Sequence, residues 1–296
     1  MKRRKVLIGG LGFASLLTTV ACGGSQSGNN QAAGDSKTLT MLTSPDYPPY
    51  GFYETSGGER RIVGFDIDIA NYIAKELGYQ LRVQESDFNG LIPALQANRA
   101  DFVMAGMTPT EERKKNVDFS NIYFQANNTI VALRGSNLTK AENLAGKRVG
   151  VQLGSIQEGD LKKIAEKVQG IQIKTLNRVP ELIQEIKARR IDAAIVEDTV
   201  VKGFAQANPD LEYNVIPSEG PSGSAIAFPK GSPRVAEFNQ VLDRMKANGE
   251  LNRLAQKWFS VEIPSSPAAS PGPVISPASP GASPSPTASP SPSPTN

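Results

Sequence analysis

The sequence has no histidine and only one cysteine among its 296 residues. The absence of histidine excludes Ser-His-Asp and Cys-His catalysis, histidine general bases and histidine metal sites. A single cysteine can form neither an internal disulfide nor a thiolate metal cluster. We therefore expect no metal and no cofactor, and the composition favours a binding protein over an enzyme.

A strong excess of either charge is also lacking in most of the chain. The full sequence has 32 basic and 29 acidic residues, a net charge of +3. Four of the basic residues lie together at Lys2–Lys5, so removal of the N-terminus leaves 28 basic against 29 acidic residues, a net charge of −1. A nearly neutral chain of this kind predicts no nucleic-acid partner.

Residues 1–22 have the pattern of an export signal. The basic start is followed by an apolar stretch, 6–20, that is too short to span a bilayer comfortably. The stretch ends in Thr-Val-Ala-Cys22, which resembles the lipobox of bacterial lipoproteins. That resemblance implies lipidation of Cys22, a lipid anchor as the only membrane contact, and a location in the periplasm or at the cell surface. An ordinary secretory signal is the alternative, and the Sec or Tat route stays open.

Two further segments lack the apolar residues that a folded core needs. Residues 23–37 are rich in Gly, Asn and Gln, which predicts a flexible tether. Residues 263–296 contain 11 of the 22 prolines and no charged or aromatic residue, which predicts a disordered spacer. A proline-rich tail that binds a partner is the alternative. The folded part is therefore expected near residues 38–262, which is enough for two lobes.

Between these ends, strand-like and helix-like segments alternate along the chain. Ile69, Ile73 and Leu77 recur at a spacing of four before Gly78, for example, which predicts a helix. The alternation predicts an α/β architecture with mostly parallel sheets, in which ligands bind at the carboxyl ends of strands. Predicted strands cover residues 39–43, 80–84, 102–105, 129–133, 148–151, 171–176, 193–196 and 224–228. Predicted helices cover residues 66–77, 90–98, 156–168, 180–189, 199–208, 235–248 and 250–259.

Several stretches occur in the order found in one bacterial family. Gly64 begins GFDIDIANYIAKELG, a signature of that family. Further agreeing stretches are SPDYPPY from Ser44, DFNGLIPALQ from Asp87, AGMTPTEERKKNVDFS from Ala105, VGVQLGSIQE from Val149 and DAAIVED from Asp192. Over nearly all of residues 38–262, the chain thus resembles the polar amino-acid family of bacterial solute-binding proteins.

This resemblance implies a type II periplasmic-binding-protein fold, in which two α/β lobes joined by two crossing segments enclose a ligand cleft. It places lobe 1 at residues 38–126 plus 222–262 and lobe 2 at residues 127–221. The implied function is that of the extracytoplasmic substrate-binding component of an ABC importer. Such a component is expected to be a monomer that binds a free L-amino acid and delivers it to a permease in the membrane.

The resemblance also implies which residues hold the carboxylate of the ligand. Arg113 matches the family arginine that grips the α-carboxylate, and a guanidinium can bind a carboxylate through two donors at once. The N–H groups of Thr108 and Ile156, with the hydroxyls of Thr108 and Ser155, complete the contact. Ala105 and Gly106, in the same stretch as Thr108, belong to the predicted site as well.

The remaining residues concern the amine and side chain of the ligand. Glu197 matches the family acid that accepts from the ammonium, and Asp198 is the alternative. Tyr47 and Phe88 match the aromatic pair that encloses the ligand side chain, an arrangement that suits an alkyl stem or a flat cation.

The identity of the amino acid is less determined by the sequence. Gln152 and Gln157 suit an amide and a guanidinium equally, and Ser44 stands where lysine-, arginine- and glutamine-binding relatives carry an aspartate. SPDYPPY and AAIVEDTVVKG resemble arginine-binding members most, so arginine or another basic amino acid is expected first and glutamine second. A dehydratase and a sensory receptor on the same fold are further alternatives.

Overall fold

The computed structural model describes residues 37–217, 220 and 222–260. The predicted signal peptide with Cys22, the predicted tether up to residue 36 and the predicted tail lie outside the described residues. The strands are β1 (Thr38–Thr43), β2 (Asp46–Tyr47), β3 (Gly51–Ser56), β4 (Glu59–Val63), β5 (Gln80–Glu85), β6 (Phe102–Val103), β7 (Val117–Phe119), β8 (Asn128–Leu133), β9 (Arg148–Gln152), β10 (Gln172–Leu176), β11 (Ala193–Glu197), β12 (Leu211–Val215) and β13 (Ala227–Pro229). The α-helices are α1 (Phe65–Glu76), α2 (Leu91–Gln96), α3 (Glu111–Lys114), α4 (Ile156–Lys167), α5 (Val179–Lys187), α6 (Asp198–Ala207), α7 (Arg234–Ala247) and α8 (Glu250–Phe259).

The first sheet has five strands in the order β5-β1-β6-β13-β7. Strand β1 pairs in parallel with β5 and β6, whereas β13 is antiparallel to both of its neighbours, β6 and β7. Four of the five strands therefore run in one direction. This confirms the predicted mixture of strands and helices, although only two of the four strand pairings in this sheet are parallel.

The second sheet repeats this pattern in the order β10-β9-β11-β8-β12. Here β9 pairs in parallel with β10 and β11, and β8 is the reversed strand between β11 and β12. In each sheet the reversed strand, β13 or β8, is the one that the chain enters on arrival from the other sheet. The carboxyl ends of β6, β9 and β11 consequently border the same space between the sheets.

Two segments of chain, residues 120–127 and 216–226, connect the sheets and pair with each other. Tyr123 N–H donates to the Ser224 carbonyl at 2.9 Å, and Ser224 N–H donates to the Phe124 carbonyl at 2.8 Å. The predicted lobe boundaries near residues 126 and 222 fall within these segments. The exact division into lobes stays a prediction.

A third sheet, β2-β3-β4, was not predicted from the sequence. Strands β3 and β4 form a hairpin whose turn contains Gly57 and Gly58, both with positive φ (61° and 83°). A Gly-Gly pair between two strand-like segments is a recognised hairpin signal, so the sequence did contain the necessary information. Strands β7 and β12 and the short helix α3 were also missed.

Helix α1 begins one residue before its predicted start, because Phe65 follows a glycine with an unusual backbone. Gly64 has φ 141°, and a Cβ there would lie 2.2 Å from the Tyr50 carbonyl oxygen. The helix buries Ile69 and Ile73 completely, as the spacing of four predicted. In the part of the chain that the structure describes, no helix has the length and apolar character needed to cross a membrane.

Aromatic rings fill the core between the first sheet and the C-terminal helices. Phe238 of α7 packs against Phe102 and Phe228, with ring centroids 5.1 Å and 5.0 Å away. Trp258 of α8 packs against Phe52 of β3 with centroids 5.9 Å apart. These contacts anchor the C-terminal helices to the side of the molecule built from the N-terminal strands.

Candidate functional site

A small cavity lies between the two sheets, at the carboxyl ends of β6, β9 and β11. This is where open α/β sheets bind ligands, because loops from several strands converge there. Eleven of the twelve residues predicted to bind the ligand line it, whereas their contact with a ligand stays a prediction. They are Tyr47, Phe88, Ala105, Gly106, Thr108 and Arg113 on the side of the first sheet, and Gln152, Ser155, Ile156, Gln157 and Glu197 on the side of the second.

Arg113 is a buried cation at this cavity, with 9% of its surface exposed. It lies on α3, whose N-cap residue Thr110 accepts from its backbone N–H through the side chain. The Arg113 guanidinium donates to the Thr108 carbonyl and to the Gly154 carbonyl across the cleft, both at 2.8 Å. Among the described residues it forms no ion pair, and burial lowers its pKa to about 10. Arg113 thus remains a cation that lacks an anion.

Donors from helix α4 face the same space. The first N–H groups of a helix have no acceptor within the helix, and they carry a partial positive charge. Here these groups belong to Ile156 and Gln157, both on the cavity wall. The Ser155 hydroxyl caps the helix by accepting from Glu158 N–H at 3.2 Å, and it donates to the Gln152 carbonyl at 2.7 Å. Arg113 and this helix end together form a pocket suited to a carboxylate.

Glu197 is the buried anion of the cavity, with 8% of its surface exposed. Its Oε1 accepts from the hydroxyls of Tyr50 and Thr199, both at 2.5 Å, and its Oε2 lies 3.5 Å from the Tyr47 hydroxyl. Burial raises its pKa to about 7, although the two short hydrogen bonds act in the opposite direction. Within the described chain no lysine or arginine forms an ion pair with Glu197. The site therefore contains a carboxylate that a bound cation would stabilise.

The alternative acid, Asp198, points elsewhere. Its carboxylate accepts from the Asn127 side chain at 2.9 Å and from the Thr199 N–H at 2.7 Å. It does not line the cavity. Of the two adjacent acids, the geometry favours Glu197 as the partner of an amine.

The two predicted aromatic residues lie on the cavity wall. The ring of Tyr47 stacks on Tyr50, with centroids 5.6 Å apart, and lies close to Gly106. A Cβ at Gly106 would lie 3.2 Å from that ring, and its φ of 59° also favours glycine. The ring of Phe88 lies 5.3 Å from the Arg113 guanidinium carbon. The ring of Tyr47 is thus held between Tyr50 and Gly106, and the ring of Phe88 lies beside Arg113.

Ser44 is the one predicted site residue that the structure does not place on the cavity. It is buried, and its hydroxyl donates to Asp46 Oδ1 at 2.5 Å. Asp46 Oδ2 in turn accepts from Gln152 Nε2 and from Val179 N–H, both at 2.9 Å. Ser44 thus reaches the second side of the cleft through Asp46, and its contact with a ligand stays a prediction.

Two functional neighbours of the cavity were missed in the sequence. Tyr50, fully buried, donates to Glu197 from the other side of the cleft. Asp66 was interpreted only as a helix-start residue, but it is completely buried and accepts from Gly106 N–H at 2.9 Å and from the Tyr123 hydroxyl at 2.7 Å. Burial raises its pKa to about 7. No local pattern indicates either contact, since the partners lie 40 or more residues away.

Comparisons with known proteins give the family of the chain. Residues 39–261 match the bacterial extracellular solute-binding proteins, family 3. The arginine-binding extracellular protein ArtP of Bacillus subtilis (strain 168) is 46% identical over 244 residues, which cover 82% of this chain and 92% of that protein. The chain therefore belongs to family 3 of the bacterial extracellular solute-binding proteins.

Solved structures give the same result for the fold. An ancestral arginine-binding protein bound to arginine is 39% identical with a TM-score of 0.70, covering 75% of this chain and 98% of that one. A second structure, an ancestral arginine-binding protein bound to glutamine, is 38% identical with a TM-score of 0.70, covering 77% and 100%. The fold is the expected type II periplasmic-binding fold.

Proposed function

We propose that this protein is the extracytoplasmic substrate-binding component of an ABC importer for polar amino acids, with arginine or another basic amino acid as its ligand. The observation that carries the proposal is the placement of two buried charges, Arg113 and Glu197, on one cavity without an ion-pair partner among the described residues. A buried charge without a partner is costly. A zwitterionic amino acid supplies an anion for the first and a cation for the second.

In this proposal the α-carboxylate binds Arg113 and the donors of Thr108 and helix α4, and the ammonium binds Glu197. The ligand side chain lies between Tyr47 and Phe88. Binding to the first side of the cleft is followed by closure of the second side, a hinge motion that the ligand favours because it contacts both sides only in the closed form. The permease would then recognise the closed shape.

Arginine is the first choice for the ligand. A planar guanidinium stacks well on aromatic rings such as Tyr47 and Phe88. A relative with an arginine-binding name, 46% identical, and a solved neighbour that holds arginine support this choice. Glutamine is the second candidate, since another solved neighbour holds glutamine in a similar fold.

The decisive experiment is a calorimetric titration of the mature protein with each of the twenty amino acids. We expect arginine to bind most tightly, and Arg113→Ala to abolish binding because the carboxylate loses its cationic partner. Arg99→Ala, which changes an exposed arginine, is the matched control and should bind as wild type does. Absence of binding by every amino acid, or unchanged binding by Arg113→Ala, would contradict the proposal.

Anchoring belongs to the proposal as well, because family membership gives only an extracellular protein. We propose that Cys22 is lipidated and holds the protein at the membrane of the periplasm or cell surface. Cells that express wild type should incorporate a labelled fatty acid into the protein, and cells that express Cys22→Ser should not. Native mass spectrometry of the mature chain should give the mass of a monomer.

The alternatives on the same fold have their own tests. A dehydratase would convert prephenate or arogenate to product, and we expect no turnover of either compound. A sensory receptor would leave arginine uptake unchanged when its gene is deleted. Loss of radiolabelled arginine uptake in the deletion strain, with restoration by wild type but not by Arg113→Ala, supports the importer.

A further inference from the structure

Two amides, Gln152 and Gln157, lie on the cavity wall beside the space for a ligand side chain. An amide can present either its oxygen, an acceptor, or its NH₂ group, a donor. Which end faces a ligand depends on the groups behind the amide. In this protein the groups behind Gln152 and Gln157 restrict the orientation of each amide.

Behind Gln152, the partners of the amide are acceptors. Gln152 Nε2 donates to Asp46 Oδ2 at 2.9 Å and to the Asn177 carbonyl at 3.1 Å. A flipped amide would place Oε1 against these two oxygens. Both N–H groups of Gln152 are thereby used, and Oε1 is the polar atom that remains for the cavity.

The amide of Gln157 is bonded to Asn128, which in turn is bonded to the carboxylate of Asp160. Asn128 Nδ2 donates to Asp160 Oδ2 at 2.9 Å, so its Oδ1 must face the other way. Gln157 Nε2 donates to that Oδ1, again at 2.9 Å. The order of donors and acceptors is fixed by Asp160, because an ionised carboxylate can only accept. Gln157 therefore turns one N–H of its amide to Asn128, which leaves Oε1 at the opposite side of the amide.

We propose that Asp46 and Asp160 are positioning residues that hold Gln152 and Gln157 as acceptors and thereby select a ligand side chain made only of N–H donors. A guanidinium meets this requirement, whereas the amide of glutamine or the urea group of citrulline brings an oxygen that faces another oxygen. The inference rests on the proposed function and adds to it the residues that choose among amino acids. An acceptor left unpaired in a buried site lowers affinity by about tenfold to a hundredfold.

The experiment compares L-arginine with L-citrulline, which has the length and shape of arginine but a urea oxygen in place of one nitrogen. Calorimetry on the mature protein gives the Kd ratio of the two ligands for wild type, Asp46→Asn and Asp160→Asn. We expect wild type to prefer arginine by at least about a hundredfold, because citrulline meets two acceptors and lacks the charge. In Asp160→Asn the new side-chain NH₂ lets Asn128, and with it Gln157, turn its amide over, so citrulline should bind more tightly and the ratio should fall about tenfold. In Asp46→Asn the ratio should fall by less, because the Asn177 carbonyl still opposes a flip of Gln152.

Asp87→Asn is the matched control. Asp87 is a partly exposed acid at the cleft that pairs with Arg178 at 3.1 Å and is bonded to neither glutamine. Its replacement removes the same charge and should leave the ratio as in wild type. An equal fall in this control would assign the effect to charge alone and overturn the proposal.

The other possible results of this experiment also support or overturn the proposal. If Asp46→Asn weakens both ligands equally, Asp46 serves only to cap Val179 and close the cleft, and the proposal fails for that residue. Asp160→Asn decides in the same way should Asp46→Asn not fold, as judged by circular dichroism. Binding of arginine with unmoved ratios overturns this inference but leaves the proposed function intact, whereas absence of arginine binding in wild type overturns both.

Discussion

The guanidinium of Arg113 spans the cleft, since Nη2 donates to the Gly154 carbonyl 2.8 Å away while Nη1 holds the Thr108 carbonyl at 2.8 Å. One side chain thus joins the loop that follows β6 to the loop that follows β9. The same group is the proposed carboxylate partner, so in this proposal one residue both binds the ligand and makes a contact across the cleft. We therefore expect ligand binding to depend on the two-donor geometry of the Arg113 guanidinium and not only on its charge.

We predict that Arg113→Lys loses arginine affinity by at least about tenfold even though the positive charge is kept. A lysine ammonium is a point charge that cannot make two parallel hydrogen bonds to a carboxylate and also reach Gly154. Isothermal calorimetry gives the affinity, with the exposed Arg99→Lys as the control. Wild-type affinity in Arg113→Lys would mean that charge alone holds the ligand.

Replacement of Tyr50 should weaken binding without removing any ligand contact. Tyr50→Phe deletes the hydroxyl that donates to Glu197 Oε1, and this hydrogen bond favours the ionised form that an ammonium needs. A hydrogen bond to a charged group contributes about 1.5–3 kcal/mol, so arginine affinity should fall about tenfold or more. Tyr213→Phe, at an exposed position, should bind as wild type does. Equal affinities in the two variants would rule out this role of Tyr50.

Glu197 should make the stability of the ligand-free protein depend on pH. Its folded-state pKa, about 7, exceeds the usual glutamate pKa of 4.5, so between these pH values the folded protein binds a proton that the unfolded chain does not. Stability should therefore fall as pH rises from about 5 to 8, by an amount on the order of 3 kcal/mol for this group.

The variant Glu197→Gln removes this titration, while Asp66, whose charge also raises the pKa of Glu197, is present in both proteins. Urea unfolding should show the variant more stable than wild type at pH 8, with the difference shrinking towards pH 5. Glu54→Gln, at an exposed site, should show no such trend. A stability difference that is constant with pH would show that Glu197 is ionised in the same way when folded and unfolded.

Gly64 should be essential for the start of helix α1. Gly64→Ala forces a Cβ to within 2.2 Å of the Tyr50 carbonyl oxygen at φ 141°, a conformation close to glycine-only. We expect a loss of at least about 2–3 kcal/mol in the free energy of unfolding. Gly78→Ala is the control at the other end of the helix, with φ 72° and no atom near the new Cβ, and should lose about 1 kcal/mol. Equal losses in chemical denaturation would mean that backbone strain alone matters.

The strands and helices that the sequence predicted correctly are those with a strong local period. Helix α8, Glu250–Phe259, has the predicted bounds, and α1 and α7 differ by one residue at each end. Strands β2 and β7 have only two and three residues, too few to show a period, whereas β12 does alternate apolar and polar residues and was overlooked. Strands β7 and β12 pair with partners far along the chain, and β2 pairs with the neighbouring β3.

For the candidate site, too, some features follow from the sequence and others only from the tertiary structure. The sequence by itself determined the α/β alternation, the absence of imidazole and of disulfides, and, through ordered motifs, eleven residues that line one cavity. Only the tertiary structure showed that Ser44 lies off the cavity and donates to Asp46, that Glu197 rather than Asp198 lines the cavity, and that Asp46 and Asp160 accept hydrogen bonds from Gln152 and Asn128. The physical reason is that the burial of a charge, the direction of a hydrogen bond and the partner across a cleft are properties of residues brought together from distant parts of the chain.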